Sequence, residues 1–393
     1  MTAGTKGDKN LYLLTGATGF LGSHIMAELL LKGKSVAIFG RSSGGESLKE
    51  RITKLLNWFG IADSAELLEF YEADFQKKRL GLSVEDHEKL CSRRFTIIHC
   101  ASDTSFAERN RERVMKSNVD NLSEILNFTI QSRAAFFHFV SSAYAAGTDS
   151  LECQEDLAGS THFTNVYEES KALAEFKVTD RCSEGKIPYT IIRPSIVYGD
   201  SVTGKSLKFN ALYYVLRSVK YIRDIYLNDI RNNGGRKSAE CGIYINNDGG
   251  LHLPIRIFIP NDGNINLIPV NYFKETLLAI VEKPVSGSYY HITSNNPEKM
   301  VSLAAHTKRF LNITGTEIVV GAMAPDEVRN PPEELLDHFI KPYQPYISDK
   351  RIFIRENTDR TVGGSLPPDL SYEIFEKCMN YAVSADWGDK VFS

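Results

Sequence analysis

Cysteine is sparse in this sequence and is nowhere clustered. The six cysteines among 393 residues form no CxxC pair and show no spacing typical of a zinc site. This absence excludes a disulfide-dense secreted scaffold and favours a reducing compartment. We therefore expect a cytoplasmic protein without a structural metal.

An excess of charge of one sign and long apolar runs are also missing. Lys and Arg number 46 against 49 Asp and Glu, and no block of like charges interrupts this balance. The resulting field is too weak to hold a nucleic-acid backbone. The polar leader, residues 1–10, is followed by only a short apolar run, whereas a membrane helix needs about 20 apolar residues. We expect no nucleic-acid partner and no membrane span.

The first half of the sequence alternates short apolar runs with helical patterns. The strand-like runs recur at helix-length intervals and cover residues 11–14, 35–39, 68–73, 96–100, 135–140 and 189–193. Such alternation is typical of βαβ units, whose parallel sheet is covered by helices on both faces. It predicts an α/β fold built on a doubly wound parallel Rossmann sheet.

The second half follows a different pattern. Residues 205–231 carry a long helical pattern, and the last hundred residues contain helical fragments separated by prolines. We expect residues 1–204, with returning segments near 265–295, to form the Rossmann domain. Residues 205–264 and 296–393 are then a smaller, mainly helical substrate domain. Residues 209–230 carry more apolar side chains than one buried face of a helix requires. This segment is therefore a core helix, a lid over an acyl chain or a dimer interface.

The first predicted strand ends in a glycine-rich turn. Gly16 permits the tight turn, Gly19 lets the backbone approach a pyrophosphate, and Gly22 allows close packing of helix on sheet. The N-terminus of the following helix then faces the anion. The predicted dinucleotide-binding turn comprises Gly16, Thr18, Gly19, Phe20, Leu21 and Gly22.

The end of the second strand indicates which dinucleotide binds. An acidic residue there would bind the ribose hydroxyls of NAD, whereas an arginine can accept a 2′-phosphate. Arg41 and Ser42 occupy this position, and the next carboxylate is Glu46. The pattern favours NADPH, with a solvated surface arginine as the alternative. Asp74, after the third strand, is expected either to touch the adenine or to cap its strand.

Tyr167 and Lys171 are four residues apart on a predicted helix, which puts phenol and ammonium on one face. We expect the ammonium to lower the pKa of Tyr167, so that the phenol delivers a proton to a carbonyl oxygen near neutral pH. Lys171 can also hold the nicotinamide ribose. Upstream, a strand ends in two serines, of which Ser142 is favoured over Ser141 to stabilise the substrate oxygen.

Two further residues near this predicted site have alternative interpretations. Asn118, on the helix before the serine strand, either carries a water that relays protons to Lys171 or lies on the helix surface. Cys100 follows the fourth strand, and we expect a small packed thiol there rather than an acyl-accepting nucleophile.

The glycine turn, Ser142, Tyr167 and Lys171, in this order and spacing, resemble the extended short-chain dehydrogenase/reductases. Further strings resemble the fatty acyl reductase and thioester reductase branch, the male-sterility type. They are residues 99–108, 165–175, 193–197, 269–272 and 290–297, so that the resemblance covers roughly residues 10 to 300. It implies further cofactor contacts from Ala101, Pro194, Ser195 and Ile196.

The resemblance also implies an activity. An acyl group delivered on coenzyme A or an acyl carrier protein would be reduced by NADPH to an aldehyde, and by a second hydride to an alcohol. Three alternatives remain: a nucleotide-sugar epimerase or dehydratase, another carbonyl reductase of the same type, and a non-catalytic Rossmann binding protein. A homodimer is compatible with each of them.

Overall fold

The computed structural model describes residues 11–259, 263–324, 327–347 and 349–392. The polar leader of the sequence therefore lies outside the described residues. Everything below refers to the described part of the chain.

Strands occur throughout the described residues. In chain order they are β1 (Leu11–Thr15), β2 (Ser35–Gly40), β3 (Leu68–Glu72), β4 (Thr96–His99), β5 (Phe136–Val140), β6 (Glu152–Cys153), β7 (Tyr189–Pro194), β8 (Ile196–Tyr198), β9 (Tyr244–Ile245), β10 (Leu251–His252), β11 (Arg256–Ile259), β12 (Asn264–Ile265), β13 (Leu267–Pro269), β14 (Ser288–Ile292), β15 (Glu298–Lys299), β16 (Ile313–Thr314), β17 (Glu317–Val320) and β18 (Ile352–Phe353).

Helices alternate with these strands. In chain order they are α1 (Phe20–Leu31), α2 (Leu48–Phe59), α3 (Val84–Cys91), α4 (Arg111–Met115), α5 (Leu122–Gln131), α6 (Val166–Glu184), α7 (Leu212–Asn232), α8 (Arg236–Glu240), α9 (Val270–Glu282), α10 (Met300–Leu311), α11 (Pro331–Ile340), α12 (Gln344–Ile347), α13 (Glu356–Val362) and α14 (Tyr372–Ser384). Between α4 and α5 the chain makes a π-helical turn over Lys116–Asp120.

The central sheet has the strand order β14-β7-β5-β4-β1-β2-β3, and each of its pairings is parallel. The strand order reverses between β1 and β4, which opens a crevice at the carboxyl ends of these strands. In register, Leu14 of β1 lies between Ile38 of β2 and Ile98 of β4. The doubly wound α/β fold predicted from the sequence is confirmed.

Helices bury both faces of this sheet. Leu14 packs in one core with Ile25 of α1 and Phe273 of α9. Leu13 points to the other face and packs with Leu126 of α5. Because both faces are covered, the strands read as continuous apolar runs rather than as alternating ones.

The second half of the chain both completes the sheet and builds a separate core. Strand β14 pairs with β7, and β13 pairs with β8, so both strands return to the Rossmann side. Helices α7, α10, α11 and α14 share a third core, beside short strand pairs such as β11 with β17. The division into domains at the predicted boundaries remains a prediction.

The long helix of the second half is shorter than its pattern predicts. The pattern begins at residue 205, but α7 begins at Leu212. Ala211 has a φ of 48°, a left-handed conformation that an α-helix does not contain. Leu216 and Ile222 of α7 are buried in the third core, so the helix is a core helix in this structure.

None of the helices in the described ranges combines the length and the apolar character that crossing a membrane requires. Nor does the described part of the chain bring together three or more His, Cys, Asp or Glu side chains in a way that could hold a metal ion.

Candidate active site

The turn after β1 is packed so tightly that two of its glycines have no room for a side chain. A Cβ at Gly16, whose φ is 75°, would lie 2.6 Å from the backbone nitrogen of Ala101. A Cβ at Gly22 would lie 2.1 Å from the carbonyl oxygen of Gly16. The turn, the start of α1 and the loop after β4 therefore approach one another at backbone distance.

Helix α1 begins at this turn, and the turn lines a cleft of 680 Å³. Its N-cap is Gly19, and no described side chain caps its first N–H groups. Free N–H groups at the positive end of a helix suit a phosphate or pyrophosphate. The predicted residues that line this cleft are Gly16, Thr18, Gly19, Arg41, Asp74 and Ala101.

Two arginines lie at the cleft, one directly after β2 and one on α2. Arg41 lines the cleft, and Arg51 of α2 lines it as well while donating to the carbonyl oxygen of Arg41 at 2.9 Å. Sequence reasoning missed Arg51, because it lies ten residues after Arg41 on a helix and belongs to no motif.

The structure differs from the prediction at Ser42. Its N–H and its hydroxyl donate to the Glu72 carboxylate at 2.8 and 2.9 Å, so this side chain holds the end of β3. The neighbouring Ser43 lines the cleft instead. A shift of one position in the loop after β2 decides which of the two serines faces the cleft. The sequence pattern does not predict this shift.

Asp74 and Cys100 line the same cleft. The Asp74 carboxylate accepts from the N–H of Gln76 at 3.0 Å and lies 3.5 Å from the Lys77 ammonium, so it stabilises its own loop. Burial raises the pKa of the Cys100 thiol to about 11. The thiol is therefore protonated near neutral pH, which agrees with a packed side chain rather than a nucleophile.

A second cavity, of 600 Å³, adjoins the first. Gly16, Gly19 and Cys100 line both of them. The second cavity is lined in addition by the predicted residues Phe20, Leu21, Gly22, Ser142, Tyr167, Lys171, Pro194, Ser195 and Ile196. The fold thus brings the predicted serine, tyrosine and lysine together at the second cavity.

Tyr167 lies in the first turn of α6, where the side chain of Asn165 caps its N–H at 3.0 Å. The phenol lies beside the hydroxyl of Ser142, which lines the same cavity. The expectation of a lowered phenol pKa is not met, since burial raises the pKa of Tyr167 well above its ordinary value. The physical reason is desolvation: the Lys171 ammonium lies 6.0 Å from the tyrosine ring centroid and is directed elsewhere.

Lys171 is almost fully buried, at 3% exposure. Its ammonium donates to the carbonyl oxygen of Val140 at 2.9 Å and lies 4.9 Å from the centroid of the Phe139 ring. Burial lowers the pKa of Lys171 to about 8. Since an ammonium has three donors, this group retains hydrogen-bonding capacity toward the cavity that it lines.

Asn118 is placed differently from the predicted water carrier. It lies in the π-helical turn, and its side-chain oxygen accepts from the N–H of Asp103 at 2.7 Å and from the Ser102 hydroxyl at 3.1 Å. Its amide nitrogen donates to the Asp103 carbonyl and to the Ser170 hydroxyl, both at 2.9 Å. The side chain therefore makes all four of its hydrogen bonds to protein and ties the loop after β4 to the residue before Lys171.

The two serines after β5 point in different directions. The Ser141 hydroxyl donates to the Glu175 carboxylate, which also accepts from Arg193 at 2.9 and 2.6 Å. Both charged side chains are buried, with exposures of 1% and 0%. Both serines line the second cavity, but the hydroxyl of Ser141 belongs to a buried network between α6 and β7. Sequence reasoning did not identify this network.

A group of aromatic side chains, called here the aromatic wall, lines part of the second cavity. It consists of Phe106, Tyr214, Tyr343 and Tyr346. The Phe106 ring centroid lies 5.8 Å from that of Tyr167 and 5.6 Å from that of Tyr346. The Tyr346 hydroxyl donates to Glu168 at 2.6 Å, which fixes the ring beside α6. No sequence signal marks these tyrosines, since they are brought to the site from distant parts of the chain.

The residues present fit a nicotinamide dinucleotide. The hydroxyl of Ser195 is buried at the second cavity and has no hydrogen-bond partner among the described residues. A buried hydroxyl without a partner is costly unless a ligand satisfies it, and a carboxamide group would do so. The glycine turn and the uncapped start of α1 suit the pyrophosphate of the same molecule.

Comparisons with known proteins agree with this geometry. The NAD-binding family model described as male sterility protein matches residues 14–237, more than half of the chain. The nonribosomal peptide synthetase asaC of Aspergillus flavus is 25% identical over 301 residues, covering 73% of this chain and 26% of that protein. Human fatty acyl-CoA reductase 1 is 30% identical over 223 residues, covering 47% of this chain and 42% of that protein. The chain thus spans less than half the length of these curated relatives.

Solved structures share the fold. The terminal R domain from the myxalamid PKS-NRPS biosynthetic pathway superposes with a TM-score of 0.75 at 21% identity, covering 98% of this chain and 92% of that one. UDP-glucuronic acid 4-epimerase from Bacillus cereus superposes with a TM-score of 0.64 at 15% identity, covering 98% and 100%. The family match leads to one conclusion: the chain belongs to the NAD-binding family described as male sterility protein, and it shares its fold with these solved structures.

Proposed function

We propose that this protein uses NADPH to reduce an acyl thioester carried on the pantetheine arm of coenzyme A or of a carrier protein. The observation that carries the proposal is that Ser142, Tyr167 and Lys171 line one cavity, which adjoins the glycine-lined cleft. A carbonyl bound in this second cavity would meet both hydroxyls, while the glycine-lined cleft would hold the dinucleotide. The names of the relatives, which are acyl-CoA reductases and peptide synthetases, support a thioester substrate.

In this mechanism, bound NADPH supplies a hydride to the carbonyl carbon. Tyr167 donates its proton to the carbonyl oxygen, and Ser142 donates a hydrogen bond to the same oxygen as negative charge develops there. The raised pKa of Tyr167 keeps the phenol protonated and hence in its donor form. The resulting hemithioacetal loses its thiol, which leaves with the hydroxyl proton, and an aldehyde remains. A second reduction of that aldehyde would give the alcohol.

Lys171 and Asn118 have separate roles in this proposal. Lys171 provides a buried positive charge and donors for the ribose hydroxyls of the cofactor. Asn118 is a positioning residue, because its hydrogen bonds join the loop after β4 to Ser170 and so hold α6 in place. Asp74, which follows β3 and lines the glycine-lined cleft, would contact the adenine.

We assign the preference for NADPH to two arginines at the cleft, Arg41 after β2 and Arg51 on α2. Arg41 and Arg51 line the cleft together and place two guanidinium groups where the 2′-phosphate of the ribose would lie. The carboxylate of Glu72 accepts from Ser42 and from the Leu48 N–H, so it is engaged with protein rather than with a ribose.

Replacing Arg41 with alanine is expected to lower the ratio of kcat/KM for NADPH to that for NADH by about 10- to 100-fold. This range corresponds to the loss of a charge-assisted hydrogen bond to phosphate. Steady-state kinetics with both cofactors measure the ratio. Arg51→Ala should act in the same direction, whereas Lys49→Ala, an exposed position on the same helix, should not change it. An unchanged NADPH preference in both arginine variants would contradict the assignment.

The proposed location and partners rest on less specific features. The six cysteines are free in the structure, as a reducing cytoplasm would keep them. We propose a cytoplasmic protein whose partner is coenzyme A or an acyl carrier protein, and a homodimer remains a prediction.

The reductase function is tested by incubating the protein and NADPH with a panel of acyl-CoAs, acyl-pantetheines, aldehydes and nucleotide sugars. NADPH oxidation is followed by absorbance, and products are identified by mass spectrometry. We expect oxidation with thioesters and formation of the matching aldehyde. Conversion of a nucleotide sugar without any thioester reduction would overturn the proposal in favour of an epimerase or dehydratase.

A further inference from the structure

A third cavity lies behind the aromatic wall of the active site. Its volume is 60 Å³, and it is enclosed by side chains from α7, α10, β11 and β17. Ile196, Ala211, Tyr343 and Tyr346 line both this cavity and the second cavity. The third cavity is therefore a side pocket of the candidate active site rather than an unrelated void in the core.

Most of the side chains that line the side pocket are hydrocarbon, such as Val215 and Leu216 of α7, Ile257 of β11 and Leu303 of α10. Thr307 and Lys308 of α10 are polar members of the lining. Two of the lining hydroxyls are engaged with protein: that of Tyr346 donates to Glu168 at 2.6 Å, and that of Thr316 donates to the Leu253 carbonyl at 2.9 Å. A pocket with a mainly apolar lining is a poor site for water and a good one for an alkyl group.

The backbone is strained at Ala211, a residue that lines both the side pocket and the second cavity. Ala211 has φ 48° and ψ −105°, a conformation that costs a non-glycine residue free energy. Ala211 lines both cavities together with Tyr343, whose ring lies 5.3 Å from that of Tyr214. Strain of this kind persists where the surrounding structure enforces it and is common at ligand-binding sites.

We infer that the side pocket binds the short aliphatic end of the acyl group while the thioester carbonyl lies at Ser142 and Tyr167. This inference rests on the proposed reductase function and specifies its substrate class. A water-sized group occupies about 10–15 Å³ by this measure of volume, so 60 Å³ accommodates about four carbon atoms beyond the carbonyl. The pocket thus selects short aliphatic acyl groups over acetyl.

Binding of non-reducible thioethers tests the inference without any turnover. S-methyl- and S-pentyl-pantetheine differ by four methylenes, and each methylene that becomes buried is expected to improve the dissociation constant about fourfold. We expect the wild-type protein with bound NADP⁺ to prefer the pentyl compound at least tenfold in isothermal titration calorimetry. A wild-type protein that binds both compounds equally would overturn the inference.

Two variants fill the pocket from opposite walls. Val215→Phe on α7 and Ala304→Leu on α10 should each reduce the preference for the pentyl compound to less than threefold. Val301→Phe adds a ring to the exposed face of α10 and should leave the preference unchanged. Retention of the full preference in both filled variants would show that the chain binds elsewhere and would refute the inference.

Reduction of acetyl- and pentanoyl-pantetheine, measured in parallel, separates this inference from the proposed function. If the thioethers show the expected preference and the thioesters are not reduced, the pocket is supported and the reductase function is wrong. If the thioesters are reduced but the filled variants keep the wild-type preference, the function is supported and the pocket assignment is wrong.

Discussion

The Tyr167→Phe variant is expected to reduce thioesters with a kcat about 10²- to 10⁴-fold below that of the wild-type protein, the range typical of a lost general acid. The substitution removes only the phenolic hydroxyl, which lies beside Ser142 in the second cavity. The ring and its contact with Phe106, at 5.8 Å between centroids, remain. NADPH affinity, measured by fluorescence titration, should therefore change less than twofold.

Tyr214→Phe provides a matched control for this experiment. Tyr214 lines the same cavity and packs against Tyr343 at 5.3 Å between ring centroids, so the variant loses a hydroxyl of the same kind in the same surroundings. Its kcat should stay within threefold of the wild-type value. A Tyr167→Phe variant with wild-type kcat would remove the role of proton donor from Tyr167.

The Glu175→Ala variant is expected to lower the free energy of unfolding by about 3–5 kcal/mol, the usual consequence of removing one partner of a buried ion pair. Arg193 has an exposure of 0% and pairs with both oxygens of Glu175. Without that carboxylate, a buried guanidinium loses its counter-charge and the Ser141 hydroxyl loses its acceptor. Urea unfolding followed by circular dichroism at pH 7 measures the effect.

Glu184→Ala on the same helix is the control for the stability measurement. Glu184 pairs with Arg181 at 3.1 Å, but these side chains are 59% and 38% exposed. Exposed pairs of this type contribute about 0–1 kcal/mol. A loss in Glu175→Ala that is no larger than the loss in Glu184→Ala would show that the buried pair does not stabilise the junction of α6 with the sheet.

The Rossmann sheet could be predicted because its signal is local. Each apolar run of the first half becomes a strand whose bounds agree within a residue or two, as for Leu11–Thr15 and Tyr189–Pro194. The meeting of Ser142, Tyr167 and Lys171 could also be anticipated. Carboxyl ends of parallel strands share one edge of a sheet, and helix periodicity relates the tyrosine to the lysine.

The features of the site that could not be predicted from the sequence depend on contacts between distant segments. Two tyrosines of the aromatic wall, Tyr343 and Tyr346, lie more than a hundred positions after α6, and no motif connects them to the site. The direction of the Tyr167 pKa shift depends on whether burial or the neighbouring ammonium dominates, which spacing alone does not decide. Likewise, the four hydrogen bonds of Asn118 depend on the π-helical turn that aims its side chain.

The position of β14 has a consequence for synthesis of the chain. Strand β7 is complete at Pro194, but its outer neighbour β14 begins only at Ser288. At roughly 5–20 residues per second, a ribosome needs on the order of 5–20 s to add the residues between them. During that interval the outer edge of β7 presents unpaired backbone groups on an apolar strand, which is the kind of surface that mispairs or aggregates. A fragment that ends at residue 204 would lack β14 and keep this edge of β7 unpaired, so the central sheet depends on residues far later in the chain for its completion.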